Sequence, residues 1–73
     1  MKAKFRCSSV NHFEHGEMVT LYPSPRDDLN AVWAFSTTAI GELKFRVERP
    51  EQRGQFTPGV DYIVEVTRAE VSP

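Results

Sequence analysis

Cys7, His12 and His15 follow one another as Cys-x4-His-x2-His, one soft and two imidazole donors beside the acidic side chains Glu14 and Glu17. Zinc takes such donors in sets of four, so either acid would have to complete the site. The same trio also fits a thiol nucleophile with an imidazole base, chemistry that needs an exposed thiolate and a third group to orient the base. Position in the chain weighs against both. Cys7 alternates with Ala3 and Phe5, which marks it as a small apolar filler of a buried face, while the histidines fall in a polar turn. We therefore expect no metal, no cofactor and no catalytic residue. Asp27-Asp28 lies in a polar, proline-flanked stretch, where neighbouring carboxylates are solvated turn residues rather than a rigid acid–base pair. No glycine-rich phosphate loop, Ser-His-Asp order or Cys-x-x-Cys pair occurs.

Two further groups of residues suit binding. Lys2, Lys4 and Arg6 share one side of an alternating segment, and Lys44 and Arg46 share one side of another. Were those segments neighbours, five cations would form a patch for single-stranded nucleic acid, with nearby aromatic rings for stacking. Acidic residues interleave with them, however, and the chain has nine basic against ten acidic residues, for a net charge of −1. Nucleic-acid binders depend on a basic excess, so this reading ranks second. Phe13, Met18, Tyr22, Leu29 and Ile63 fall outside the main apolar faces and are candidate contacts for a protein partner, either a second copy or another protein. A chain of 73 residues with a single cysteine has a marginal core of roughly 3–5 kcal/mol and no internal disulfide, which favours self-association.

The elements that must position these residues are strands. Period-two alternation predicts strands over 2–7, 17–22, 31–36, 42–48 and 61–67, with Ala3, Phe5, Cys7, Val19, Leu21, Ala31, Trp33, Phe35, Leu43, Phe45, Val47, Tyr62, Val64 and Val66 on the alternate, apolar positions. Val10 falls out of phase with the first strand, so a bulge is expected at Ser8-Ser9. Residues 11–16 read as a turn, and 24–30 as a polar loop. Pro50 and Glu51 suit the first turn of a short helix, which Gly54 would stop. Pro58-Gly59 suits the centre of a type II turn, and Phe56 is expected to plug the end of the core. The expected fold is all-β: a single domain over 1–73 with an ordered core at about 2–67 and a frayed tail at 68–73. A five-stranded barrel or two-sheet sandwich, with one helical turn before the last strand, would hide the strand edges. No apolar run approaches the roughly 20 residues of a membrane helix, and a lone thiol suits the cytoplasm.

From Phe35 onward a series of structural rather than catalytic motifs follows in order. Phe35-Ser36-Thr37-Thr38 precedes Gly41-Glu42-Leu43-Lys44-Phe45-Arg46-Val47, then Pro50, then Phe56-Thr57-Pro58-Gly59-Val60-Asp61-Tyr62, a Phe-x-Pro-Gly-x-x-Tyr pattern. Together with the Met-Lys-Ala-Lys-Phe start and Val19-Thr20-Leu21-Tyr22-Pro23, this resembles small β-rich proteins encoded by tailed bacteriophages and prophages. Those proteins tend to carry Asn before the proline after the fourth strand, where this chain has Arg49. The resemblance implies a viral protein of the host cytoplasm and supplies no activity. The expected function is that of a non-enzymatic binding or assembly accessory.

Overall fold

A computed structural model describes residues 1–34 and 39–70. Four strands, β1 (Lys2–Phe13), β2 (Gly16–Pro23), β3 (Leu43–Val47) and β4 (Asp61–Glu65), form one antiparallel sheet in the order β3-β2-β1-β4. The only α-helix among the described residues is the single turn α1 (Asp28–Ala31).

Alternation decides which side chains meet. Across the sheet the register sets Ala3 against Val64, Phe5 against Tyr62, Cys7 against Leu21, Val19 against Phe45 and Leu21 against Leu43. All of these lie on one side, here called the inner face. Ala3, Phe5, Cys7, Val19 and Leu21 are its buried centre, with Val10, Trp33, Leu43, Val47, Phe56, Tyr62 and Val64 packed around them. Burying each large aliphatic or aromatic side chain contributes roughly 1.5–3 kcal/mol, and in a chain this small those few residues carry the fold.

The register slips between Cys7 and Ser9, so that Val10 comes to face Val19. This is the expected bulge: one extra residue in β1 restores the phase of its apolar side chains. With Val10 back in line, β1 runs on to Phe13, and the expected 11–16 turn shrinks to Glu14-His15. At the hairpin end Gly16 lets β3 come close, since a Cβ there would lie 3.0 Å from the Val47 carbonyl oxygen.

Pro50–Gln52 form a 3₁₀ turn with proline at its start, which matches the expected helical turn. From there the chain crosses the inner face to β4. The amide of Gly54 donates to the buried carboxylate of Glu17 at 3.0 Å. Phe56 packs between Phe45 of β3 and Tyr62 of β4, with ring centroids 5.4 and 4.9 Å away. Aromatic side chains from the two outermost strands thus converge on one ring. The Tyr62 hydroxyl accepts from the Thr57 amide at 2.8 Å and donates to the Gln55 carbonyl at 3.2 Å. Gly59 sits at φ +87° in a turn closed by the Val60 amide on the Thr57 carbonyl, and its own amide donates to Cys7. Phe-x-Pro-Gly-x-x-Tyr is therefore a folding corner: Phe fills, Pro-Gly turns, and Tyr fastens the loop.

The expected five-stranded barrel or sandwich is not what the described residues build; they make four strands in one open sheet. Within the predicted strand 31–36, Ala31 ends α1 and Val32 and Trp33 continue as a turn, while residues 35 and 36 lie outside the described residues. The local cause is a polar one. Asp27 caps α1 by accepting from the Leu29 amide at 3.0 Å, and the Asn30 side chain takes a place in the sheet. Asn30 Oδ1 accepts from the Lys4 amide at 2.8 Å while its Nδ2 donates to the carbonyls of Lys4 at 2.8 Å and Ser24 at 3.1 Å. One side-chain amide thus bridges the Lys4 amide to the Ser24 carbonyl just past the end of β2, where the Ser24 amide still donates to the Lys4 carbonyl at 2.9 Å. Val66, placed inward by the alternation, is exposed beyond the end of β4.

Candidate interaction surface

The reactive trio does not assemble. Cys7 is buried under the inner face, its thiol 3.8 Å from the Ser9 carbonyl, and burial raises its pKa, disfavouring the thiolate. His12 shares that face, but Val10 stands between them in the register. His12 Nδ1 lies 3.5 Å from Glu17, and His15, in the exposed turn, lies 3.8 Å from Glu14. No group of three or more metal-ligating side chains occurs among the described residues. Glu17, considered above as a fourth ligand, is occupied as the buried anchor of the Gly54 loop.

The binding candidates do assemble, and both sets fall on the same side. Arg6 faces Tyr22, Lys4 faces Ile63, Lys2 faces Glu65, Thr20 faces Lys44 and Met18 faces Arg46. With Phe13 beside Gly16, the outer face therefore holds all five cations and four of the five apolar candidates. Leu29 is apart from them, half-buried in α1. Between the three cations of β1 and the two of β3 runs β2, so the expected neighbouring strands are separated by one strand.

Charge on this face is largely paired. Lys4 Nζ lies 3.1 Å from Asp27, Arg6 Nε 2.9 Å from Asp61, and Arg46 Nε 3.8 Å from Glu48. Asp61 also accepts from the Ser24 hydroxyl at 2.9 Å. Hydrogen bonds from Arg6 and then Ser24 hold the Asp61 carboxyl below its ordinary range, and Lys4 with the Leu29 amide does the same for Asp27. Tyr22 is held protonated above its usual value, first by the charge of Glu42.

The apolar members are dispersed. Phe13, Tyr22 and Ile63 are exposed and Met18 is half-buried. Phe13, Glu14, His15, Met18 and Arg46 line a shallow depression of about 210 Å³ at the hairpin end. No family model, curated protein or solved structure matches this chain.

Exposed strand edges are expected of so small a β domain, but which strands form them is decided by the sheet order, with β3 and β4 outermost. Cys7 donates to the Val60 carbonyl and accepts from Gly59, on the β4 side, whereas the Lys4 amide and carbonyl are engaged by Asn30 and Ser24 on the β2 side. Backbone direction alternates along each strand. Hence Tyr62 and Val64 turn their amides and carbonyls to β1, while Asp61, Ile63 and Glu65 turn theirs outward. By the same alternation across β2, the outward residues of β3 are Lys44 and Arg46. Among the described residues neither outer edge has a partner strand.

Proposed function

We propose that this chain is a non-enzymatic accessory protein that works through protein–protein contacts made by the edges and outer face of its sheet. The observation that carries this reading is the pair of edge strands that have no partner strand among the described residues. Rows of unpaired amides and carbonyls are templates for strand addition, and both edges are flanked by exposed apolar side chains: Phe45 on β3, and Val60, Ile63 and Val66 on or beside β4. The burial of Cys7 supports assigning it a packing role. The likeness of residues 35–67 to small phage proteins supports a viral setting in a bacterial cytoplasm.

Hydrogen exchange tests the proposal. With bacterial lysate proteins retained after nuclease treatment, or with the protein itself at high concentration, the outward amides of Lys44, Arg46 and Ile63 should gain protection. If their exchange is unchanged under both conditions, the reading fails.

One observation favours a second reading, binding of single-stranded nucleic acid: five cations lie on one face beside Tyr22. Fluorescence anisotropy with labelled oligonucleotides would then show binding that falls linearly on a log–log plot against salt. A flat titration at low salt removes this alternative.

A further inference from the structure

The two edges of the sheet, unpartnered among the described residues, carry opposite charge on the same face. The outward residues of β3 are Lys44 and Arg46, and those of β4 are Asp61, Ile63 and Glu65. An edge that paired with its own counterpart in full overlap would set like charges directly opposite. For β3 on β3, centred at Phe45, Lys44 would twice face Arg46. For β4 on β4, centred at Ile63, Asp61 would twice face Glu65. Like charges directly opposite destabilise a strand pair. Each edge thus discourages its own kind.

We propose that the occupant of these edges is a second copy of this chain, added with β4 of one molecule against β3 of the next so that one antiparallel sheet continues through successive copies. The proposal rests on the protein-contact reading above and names its partner. Strand direction fits: in the order β3-β2-β1-β4 every neighbour is antiparallel, so β3 and β4 run oppositely, and a copy set beside β4 in the same orientation presents β3 antiparallel to it. Faces and backbone phase fit as well, since the outward-pointing residues of both edges are also those of the outer face.

In one register Asp61 faces Arg46 of the second copy, and Ile63 faces its Lys44, which then lies diagonally between Asp61 and Glu65. Glu65 faces Glu42 of the second copy beyond the end of β3, an opposition that the diagonal Lys44 offsets. On the inner face the same register sets Val60 against Val47, Tyr62 against Phe45 and Val64 against Leu43, an unbroken apolar row. Phe45 and Val60 are 37% and 43% exposed in the single chain, so this contact covers surface that the fold leaves open. The interface is head-to-tail and yields a ring if the rotation between copies closes and a filament if it does not.

Light scattering on the full chain, with two single substitutions at exposed edge positions, tests the arrangement. The wild-type protein should exceed its 8.3 kDa chain mass increasingly with concentration, and less so in high salt. Lys44→Glu would place an anion between Asp61 and Glu65. Ile63→Lys would place a cation against Lys44. Each alone should weaken association about tenfold or more, with circular dichroism unchanged. Mixing the two in equal amounts should restore it, because Lys at 63 of one variant then faces Glu at 44 of the other. Association that Lys44→Glu strengthens would indicate β3 on β3, and association indifferent to both changes would place the contact elsewhere; either result overturns the proposal. A chain monomeric at every concentration also overturns it. In that case, edge amides still protected by lysate proteins leave the broader protein-contact reading standing.

Discussion

On the inner face of the sheet, Ala3, Cys7, Val19 and Leu21 are all but sealed from water, and even the carboxylate of Glu17 is buried with a hydrogen-bonded partner. On the outer face, a few ångströms away through the same backbone, Lys4, Arg6 and Arg46 share the surface with Phe13, Met18 and Ile63, paired to carboxylates that remain partly or fully wet. The difference is one of covering. Residues 48–60 cross the inner face and turn a row of alternate apolar side chains into a core. The outer face is met at Lys4 and Asp61 by the polar segment 24–27, and its ion pairs stay partly wet and contribute little. Stability should reside on one side of the sheet and partner choice on the other.

Substitutions should break that contrast in a definite order. Phe5→Ala is expected to cost about 3–5 kcal/mol, comparable to the whole stability of so small a core, and urea titration should find it largely unfolded. Removing the buried polar anchors comes next. Glu17→Ala strands the Gly54 amide, and Asn30→Ala strands the Lys4 amide and removes the donor to the Ser24 carbonyl, each at about 1–3 kcal/mol. Thermal melts should show both falls, with that of Glu17→Ala accompanied by faster exchange at Gly54.

Acid acts on the outer face. Because Asp27 and Asp61 titrate below the ordinary carboxylate range of about 3.9, they bind protons more readily unfolded than folded. Their stabilising effect is complete above that value and is lost as pH falls through their lower folded values. Denaturant midpoints should therefore drop on acidification below about pH 4, and Asp61→Asn should flatten the drop. The smallest change belongs to exposed outer-face side chains: Phe13→Ala should shift stability by no more than about 0.5 kcal/mol. A larger loss would mean that the outer face is covered in the folded protein, and the contrast would fail.

How far the fold was legible depends on how local its cause is. The inward set Ala3, Phe5, Cys7, Val19 and Leu21, the bulge at Ser8-Ser9, the 3₁₀ turn at Pro50 and the positive φ of Gly59 all follow from period-two phase or from single-residue backbone limits. The predicted strand 31–36 did not hold over its described part, because its first residues answer to the capped turn beginning at Asp27 and to Asn30, whose partner Lys4 lies 26 positions away. Nothing within that segment signals the bond. The candidate surface was legible as two lists of residues, cationic and apolar, but not as one face.

The sequence by itself determined which side chains alternate inward and outward, where the chain must turn, and that its lone cysteine belongs with the apolar set. Only the tertiary structure decided that β2 separates the two cationic strands, that Glu17 and Asn30 are buried, and that β3 and β4 end the sheet with opposite charge. Alternation is a property of neighbouring residues, fixed by the geometry of one extended strand. Strand order, burial of a polar group and the exposure of an edge depend on which distant segment arrives to cover it.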